Sequence, residues 1–547
     1  MAGTLVSALL GSALALLLAV LAVRSAVAAR RRQQRRTLLA RRPDKTQTIG
    51  FFHPYCNAGG GGERVLWTAI ACMQREYATT DTLFAIYTGD VGPGKASKDQ
   101  VLAKAEARFG IKIAASTIEF VPLRHRWLVE DSTWPRLTLL GQSLGSVLLA
   151  LEGLFSADGL IPDYWIDTMG YAFTYPLVKF LCRIPVASYT HYPTISTDML
   201  ERVRSRRAGH TNSSMVARSR LLSALKLAYY RLFATAYTAS LRCADVIWVN
   251  SSWTRAHVES LVNGASGSKG GRRRKRIRLL YPPCDTTHLA QFPLETRYRI
   301  PPSQESITIL SLAQFRPEKE HPTQLRAFAQ LLLSPPSSQS GVTAAAKIPR
   351  DKLRLVLAGS VRGPVDADRV EALRRLATEL GIAEQVDFVV NESYDVICQL
   401  MEKATIGLHT MVDEHFGITL VEFQAAGLIT LAHASAGPLN DIIVPSGNCA
   451  GSTGFLAAHE TPPSQPRSPP SPDAAAAADL AKSFAHQLEH ILSLSTEKQD
   501  EVRRNARKNA VAKFGTDVFE RGWLDGCRDL SKRLDLLRDR GSREKEE

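Results

Sequence analysis

Thr48-Ile49-Gly50-Phe51-Phe52-His53, followed by Cys56-Asn57-Ala58-Gly59-Gly60-Gly61-Gly62-Glu63-Arg64, is the stretch on which the fold turns. Its first six residues are apolar and β-rich, four glycines follow, and Glu63 to Arg75 reads as a helix. A buried strand, a glycine turn and a helix in that order make one unit of a parallel α/β sheet. Glycine lets backbone approach a ligand closely, and the amides that open a helix favour an anion. The loop matches neither G-x-G-x-x-G nor a Walker pattern ending in Gly-Lys-Ser/Thr, so a dinucleotide or P-loop fingerprint is missing.

Outward from that unit, strands are expected at Leu83 to Tyr87, Thr117 to Val121, Tyr164 to Asp167, Val186 to His191 and Val246 to Asn250. Tyr281-Pro282-Pro283-Cys284-Asp285 is rigid and turn-forming, a natural linker. A second alternation follows, with strands at Ile307 to Leu312, Leu353 to Ala358, Val386 to Val390, Ile406 to His409 and Ile429 to Ala434. Ser334 to Gly341 and Thr461 to Asp473 are Pro/Ser-rich and read as mobile surface loops. The fold class is α/β, with two doubly wound domains and a cleft between them, ligands binding at the carboxyl ends of the strands. The domains divide as 1–24, an anchor; 25–46, a basic tether; 47–285 and 286–496, the two α/β domains; and 497–547, a C-terminal helical segment. In that last segment Phe514, Phe519 and Trp523 supply one apolar side.

At 547 residues, 45% apolar and 22% charged, the chain suits two or three globular domains and is not disordered throughout. Its net charge of +15 is concentrated in two places: Arg24 to Lys45 and Arg272 to Arg278. The rest is close to neutral, and the basic runs read as contacts to anionic lipid. No aromatic residues interleave with the basic loop, which argues against nucleic acid as a partner. Eight scattered cysteines without a C-x-x-C pair fit a reducing compartment and argue against structural zinc.

Thr4 to Val23 is an uncharged apolar run long enough to span a bilayer, and the arginines all follow it. The positive-inside rule then places the N-terminus in the lumen and the body in the cytosol. A cleaved signal peptide is the rival reading, weakened by the missing basic start and by the arginine block after the run. In a cytosolic body the sequons at Asn212, Asn250 and Asn391 stay unmodified. The apolar stretch Leu137 to Phe155 contains Glu152, which makes a full span costly; a helix in the membrane surface and a buried helix both remain open.

Glu414-His415-Phe416-Gly417-Ile418-Thr419-Leu420-Val421-Glu422 places two carboxylates eight residues apart around a Phe-Gly step that feeds a helix. Amides at the turn suit a phosphate, and the carboxylates suit sugar hydroxyls. Gln314-Phe315-Arg316-Pro317-Glu318-Lys319 follows a strand, with Arg316 and Lys319 placed to clamp a diphosphate. His191 ends another strand, and Gly437, in Ala436-Gly437-Pro438, offers backbone to a sugar or phosphate pocket. Ser188, Tyr189 and Ser251 show no triad arrangement, so nucleophilic hydrolysis is unsupported.

The glycine loop, the Arg/Lys loop and the paired-Glu loop, in this order over two Rossmann-like halves, resemble the retaining nucleotide-sugar glycosyltransferases of the GT-B fold. The likeness runs from about Thr48 to the C-terminal helix. Within that fold the chain is similar to the dolichol-linked-oligosaccharide α-1,2-mannosyltransferases of the endoplasmic reticulum. Phe52 to Trp67, His191 to Met199 and Gln314 to Lys319 carry that likeness. The resemblance implies transfer of the fourth and fifth mannose from GDP-mannose to a dolichyl-diphosphate-linked trimannosyl-chitobiose, the precursor for protein N-glycosylation. It also implies the cytosolic face of the endoplasmic reticulum membrane as the place, and other cytosolic-face mannosyltransferases as neighbours.

By the same resemblance Glu414 contacts the sugar hydroxyls, amides near Phe416 and Gly417 hold the donor, and Glu422 binds the ribose. Lys319 neutralises the diphosphate, His191 sits near the reacting carbon, and Gly60, Gly61, Gly62, Gln314 and Gly437 join the donor pocket. The family usually carries Arg where this chain has Gln314; Arg316 is the candidate to supply that charge. Such enzymes resemble front-face displacement, with the leaving diphosphate helping to deprotonate the acceptor. The cleft motifs lack an Asp-x-Asp-like pair, so no divalent metal or other cofactor is expected. The alternatives are a membrane-bound transferase with another nucleotide sugar or glycolipid acceptor, an inactive scaffold of the glycosylation machinery, and a lipid- or RNA-binding module.

Overall fold

The structure, a computed structural model, describes residues 2–77, 81–195, 199, 203–204, 219–264, 274–294, 306–333, 349–445, 451–458 and 472–546, the side chains of 1–17, 472–477 and 537–546 excepted. Asn212, Arg272, Arg273, the loop at 334–341 and nearly all of that at 461–473 lie outside these residues, as do most side chains of the apolar run Thr4–Val23.

Two compact units emerge: unit 1 comprises 1–250, 254–280 and 520–547, and unit 2 comprises 251–253 and 281–519. In unit 1 the strands are β1 (Gln47–Phe52), β2 (Thr82–Thr88), β3 (Ile118–Pro122), β4 (Tyr164–Asp167), β5 (Val186–Thr190), β6 (Val246–Val249) and β7 (Ile277–Leu279). They form one parallel sheet in the order β3-β2-β1-β4-β5-β6-β7. Unit 2 holds β8 (Ile307–Leu312), β9 (Leu353–Gly359), β10 (Val386–Val390), β11 (Ile406–His409), β12 (Ile429–His433) and β13 (Phe455–Ala457), parallel and ordered β10-β9-β8-β11-β12-β13. Both orders reverse beside the first strand, at β1/β4 and at β8/β11. The crevice at such a reversal is where doubly wound sheets bind ligands.

Three of the helices around the unit 1 sheet bear on the sequence readings. Helix α1 (Ala2–Arg41) runs unbroken through the stretch expected as a tether. Several of its polar residues bond to the rest of unit 1: Arg30 donates to the Ser156 carbonyl at 2.8 Å, Arg31 to Asp163 at 2.7 Å, and Gln34 to the carbonyls of Leu154 and Gly159 at 2.9 and 2.8 Å. Closely spaced polar residues on one helix present enough donors to cap the exposed carbonyls at a neighbouring helix end, so this basic stretch is helical and bonded to unit 1.

Helix α2 (Gly61–Glu76) follows the glycine loop, and helix α3 (Thr138–Phe155) takes up the second apolar stretch. Helix α3 is nearly half buried, so it is packed on the core along one side and open along the other. Glu152, the charge that argued against a span, accepts the backbone N–H groups of Arg124 and His125 at 2.8 and 3.2 Å.

The C-terminal segment is shared between the units. Phe514 packs on Tyr281 and Phe416 in unit 2, with centroids 4.8 and 5.4 Å away. Trp523 stacks on Trp248 at 4.5 Å in unit 1 and is fully buried there. One apolar side in the sequence thus serves two cores, the helix being interrupted at Gly515. The strands β7 and β13 escape the sequence because each is only three residues long.

Candidate active site

In unit 2 the loop after β8 and the loop after β11 meet at the switch point. Lys319 Nζ lies 2.5 Å from Glu414 Oε2, and His409 Nε2 lies 3.0 Å from the same oxygen. Both donors converge on Oε2, and the Glu414 side chain keeps 14% exposure. Burial works against its ionisation, but the Lys319 ammonium and His409 outweigh it and hold the carboxyl well below the ordinary glutamate range. An ammonium has three protons; beyond Glu414, Lys319 approaches the weakly accepting Met411 sulfur at 3.1 Å, which leaves capacity for an anion. His321 opens the next helix (His321–Leu333) beside this cluster, stacked on Phe315 at 5.0 Å. Its burial, with the cationic neighbours second, lowers its pKa to about 3, so it stays neutral.

Backbone strain marks the same place. Glu320, Asp413 and Ala436 are non-glycine residues in the left-handed region, with φ of 53°, 57° and 43°. Each adjoins a residue singled out by the sequence: Lys319, Glu414 and Gly437. Such conformations cost of order 1–3 kcal/mol each and persist where surrounding bonds hold them. Here Thr410 Oγ1 donates toward the carbonyls of Lys319 and Glu320, Asp413 N–H donates to Ser435 Oγ at 2.8 Å, and Gly437 N–H donates to the Glu414 carbonyl at 2.9 Å. Gly437 is required by close approach, since a Cβ there would meet Phe416 Cα and O at 2.5 Å. Gly417 caps helix Ile418–Ala426 with φ 105°.

The remaining residues of the unit 2 set are less closely joined. Phe416 is buried against Tyr281, and Glu422 is buried within helix Ile418–Ala426. Arg316 pairs loosely with Glu318 at 3.8 Å and is more than a third exposed, and Gln314 is half-buried; neither enters the Lys319–Glu414 cluster.

In unit 1 the glycine loop and His191 come together at the other switch point. A Cβ on Gly62 would lie 3.6 Å from His191 Nε2 and 3.9 Å from His53. His191 Nε2 donates to the Thr168 carbonyl at 3.1 Å, which fixes the proton on that nitrogen. Thr168 Oγ1 is bonded to His53 Nδ1 at 2.7 Å, and the buried His53 Nε2 faces Glu63 Oε1 at 3.9 Å. Glu63, third residue of α2, takes the Gly60 N–H on its other oxygen at 2.6 Å. Burial opposes its charge, yet His53 and the Gly60 amide hold its pKa below the ordinary value. One amide of the loop is therefore already satisfied by the protein's own carboxylate, while Gly61 and Gly62 remain at the helix N-terminus.

Sequence reasoning missed His409, His321, His53, Thr168 and the supporting role of Glu63. His409 and His53 close strands that the apolar pattern had located, and a polar residue at the carboxyl end of a switch-point strand is the signal that could have found them. Among the described residues, no three His, Cys, Asp or Glu side chains gather as a metal-ligand set.

Residues 46–262 match the family model described as ALG11 mannosyltransferase N-terminus, and residues 295–464 that described as Glycosyl transferases group 1. The chain is 42% identical to the GDP-Man:Man(3)GlcNAc(2)-PP-Dol alpha-1,2-mannosyltransferase of Homo sapiens over 489 residues, covering 88% of this chain and 87% of the relative. It is 43% identical to that of Xenopus laevis over 89% of this chain and 88% of the relative, and 35% identical to that of Kluyveromyces lactis over 89% and 79%. Among solved structures it is similar to the sucrose-phosphate synthase of Thermosynechococcus elongatus, with TM-score 0.56 and 17% identity over 89% of this chain and 99% of that one. It is also similar to a UDP-forming α,α-trehalose-phosphate synthase of Burkholderia xenovorans, with TM-score 0.55 and 12% identity over 89% and 99%. At such identities the likeness to the solved structures shows the fold alone, which is GT-B with two Rossmann-like units.

Proposed function

The chain belongs to the GDP-Man:Man(3)GlcNAc(2)-PP-Dol alpha-1,2-mannosyltransferase family, and from that premise we propose that it moves mannose from GDP-mannose, in α-1,2 linkage, onto a dolichyl-diphosphate-linked Man(3)GlcNAc(2). The observation that carries the reading is identity above 40% over nearly the whole length of relatives bearing that name. The Lys319–Glu414–His409 cluster at the unit 2 switch point supports it chemically. Two successive transfers, adding the fourth and fifth mannose, are part of the proposal, as is retention at the anomeric carbon.

In this reading Lys319 takes the diphosphate and Glu414 the sugar hydroxyls. With Oε2 of Glu414 occupied by Lys319 and His409, Oε1 is the oxygen left to accept from the sugar. Amides around Phe416 and Gly417 hold the donor, Glu422 takes the ribose, and His191 stands near the reacting carbon. The chemistry asks for charge stabilisation and positioning rather than a protein nucleophile, and the leaving diphosphate accepts the acceptor's proton. No metal is required in this scheme, because cationic side chains supply the charge. Activity that vanished in a chelator and returned with magnesium or manganese would overturn that part. The proposed place is the cytosolic face of the endoplasmic reticulum membrane, with helix α1 crossing it once.

The deciding experiment incubates the solubilised protein with radiolabelled GDP-mannose and a trimannosyl-chitobiosyl-diphospholipid, then treats the product with α-1,2-mannosidase. Growth by two mannosidase-sensitive units is the expected result. Growth by one would correct the number of transfers. No growth in folded protein that binds GDP would move the acceptor to another glycolipid.

A further inference from the structure

We propose that Asp167 is a positioning residue for His191, a buried carboxylate that holds the histidine ring through the turn after β4 and the histidine backbone through a chain of hydroxyls ending at Thr190. The proposal deepens the transferase reading, because it is in that reading that His191 stands near the reacting carbon. Asp167 closes β4 at the switch point of the unit 1 sheet and is fully buried. Burial raises its pKa to about 6, against the hydrogen bonds from Tyr175 and from nearby backbone amides, so it is ionised at neutral pH. A carboxylate is costly in a protein interior unless its oxygens are well bonded. Here the bonds lead, by two separate routes, to the same histidine.

The first route runs through Oδ1. That oxygen accepts the backbone N–H groups of Met169 and Gly170 at 2.8 and 3.1 Å. The Met169 N–H and the Thr168 carbonyl belong to one peptide group, which is planar and rigid. The same Thr168 carbonyl accepts His191 Nε2–H at 3.1 Å. Asp167 thus grips one edge of a peptide plane and His191 the other, so the direction of the plane sets the direction of the ring. Gly170, with φ of 91°, lets the chain turn away immediately after this plane.

The second route runs through Oδ2, which accepts the Tyr175 hydroxyl at 2.6 Å. The Tyr175 oxygen is bonded to Ser188 Oγ at 2.8 Å, and Ser188 Oγ to Thr190 Oγ1 at 3.1 Å. Ser188 lies directly across from Asp167 in the β4–β5 register, and Thr190 is the residue before His191. Tyr175, Ser188 and Thr190 are as fully buried as Asp167, so water does not compete for these bonds. An aspartate that only closes a strand-end turn needs one oxygen for the amides. The other oxygen of Asp167 is spent on the strand that carries His191, and that second use is what a purely local turn does not call for.

The test uses the full detergent-solubilised chain with Asp167→Ala, Asp167→Asn and Tyr175→Phe. Asparagine keeps an oxygen for the two amides, and its NH2 group donates to Tyr175, which then donates to Ser188; the bonds survive with their direction reversed. The first arm reads the ring without any need for transfer. Carbethoxylation of the half-buried His191 by diethyl pyrocarbonate is mapped by peptide mass spectrometry and normalised to His288, whose side chain is 50% exposed. Asp167→Ala should speed it several-fold, Tyr175→Phe to a lesser degree, and Asp167→Asn should leave it as in the unsubstituted chain. In the second arm kcat should fall about 100-fold in Asp167→Ala and about tenfold in Tyr175→Phe, the scale of a small misplacement at a reacting centre. Asp167→Asn should recover most of that loss, with the KM for GDP-mannose little changed in all three. Equal His191 rates in Asp167→Ala and the unsubstituted chain would overturn the proposal. So would a loss of transfer in Asp167→Asn as large as in Asp167→Ala, since charge rather than placement would then be at work. If circular dichroism shows Asp167→Ala unfolded, Tyr175→Phe carries both arms, and unchanged His191 reactivity and kcat in that variant would overturn the proposal. Faster His191 modification in variants of a protein without transfer would uphold the positioning and count against the transferase reading; unchanged modification in an active protein would do the reverse.

Discussion

Glu63 and Glu414 stand at the switch points of two similarly ordered sheets, one after β1 and the other after β11, on opposite sides of the reversal, and they do opposite things. Each follows a switch-point strand, each is nearly buried, and each carboxyl is held below the ordinary range by a neighbouring histidine among other groups. Glu63 turns one oxygen onto the Gly60 amide and the other toward His53, so its lone pairs serve the turn that contains it. Glu414 stacks two donors on a single oxygen and leaves the other in a strained, partly open loop. The first arrangement closes a loop; the second holds a charge ready for a ligand. The difference shows that topology selects where a site lies, while the partners of one carboxylate decide whether the site is scaffold or chemistry.

The sharpest way to break the comparison is to neutralise each glutamate without changing its shape. Glu414→Gln, like Lys319→Ala, should lower the transfer rate about 10²–10³-fold, the usual result of removing one preorganised electrostatic partner. Circular dichroism should show both variants folded. An unfolded Lys319→Ala protein would make the pair structural and erase the distinction. His409 comes next: His409→Leu should cost roughly tenfold more than His409→Gln, on the scale of about 1–3 kcal/mol for an orphaned hydrogen-bond partner. Glutamine can still donate to Oε2, so equal losses for the two variants would mean that His409 acts by packing alone.

Much of this was legible in the sequence, and for physical reasons. Strands β4, β8 and β11 match their expected limits residue for residue, because a mostly buried parallel strand is a largely apolar run bounded by polar loop residues. Lys319 and Glu414 were found by motif, and the structure brings them into contact. What the sequence hid is what depends on distance in space. No pattern in Arg24 to Lys45 tells that its arginines end on Asp163 and on the carbonyls that follow α3. Likewise the Phe514 and Trp523 side looked like one amphipathic helix face, and only the backbone at Gly515 divides it between two cores.

A smaller effect should appear in the pH dependence of unit 2. His321 is neutral when folded, with a pKa of about 3 against 6.5 for the free side chain. The unfolded chain therefore binds a proton that the folded one does not, and stability falls as pH drops from 6.5 toward 3. One such proton gives a slope of about 1.4 kcal/mol per pH unit within that window. His321→Asn should flatten the slope in denaturant titrations at pH 6 and 4, with activity at neutral pH measured alongside. A slope identical to that of the unsubstituted chain would assign the acid sensitivity elsewhere, for instance to the ion pairs of Glu414, which are lost as pH falls through its own depressed pKa.

The smallest expected effect returns to Glu63 and separates scaffold from charge. Glu63→Ala removes the acceptor for the Gly60 amide at the start of α2 and should cost about 1 kcal/mol of stability, the usual worth of a helix cap. Glu63→Gln keeps a carbonyl oxygen at the same distance from that amide and should recover most of the loss. Transfer by Glu63→Gln should stay within a few-fold of the unsubstituted chain, because the amide of glutamine holds the loop as the carboxylate does. Its neutral oxygen still accepts the Gly60 N–H, and the buried His53 beside it can lean on Thr168 alone. A hundredfold loss, matching Glu414→Gln, would show that the negative charge of Glu63 is needed in its own right. The two switch points would then be chemically equivalent, and the glycine loop would have to be redrawn as part of the charge machinery.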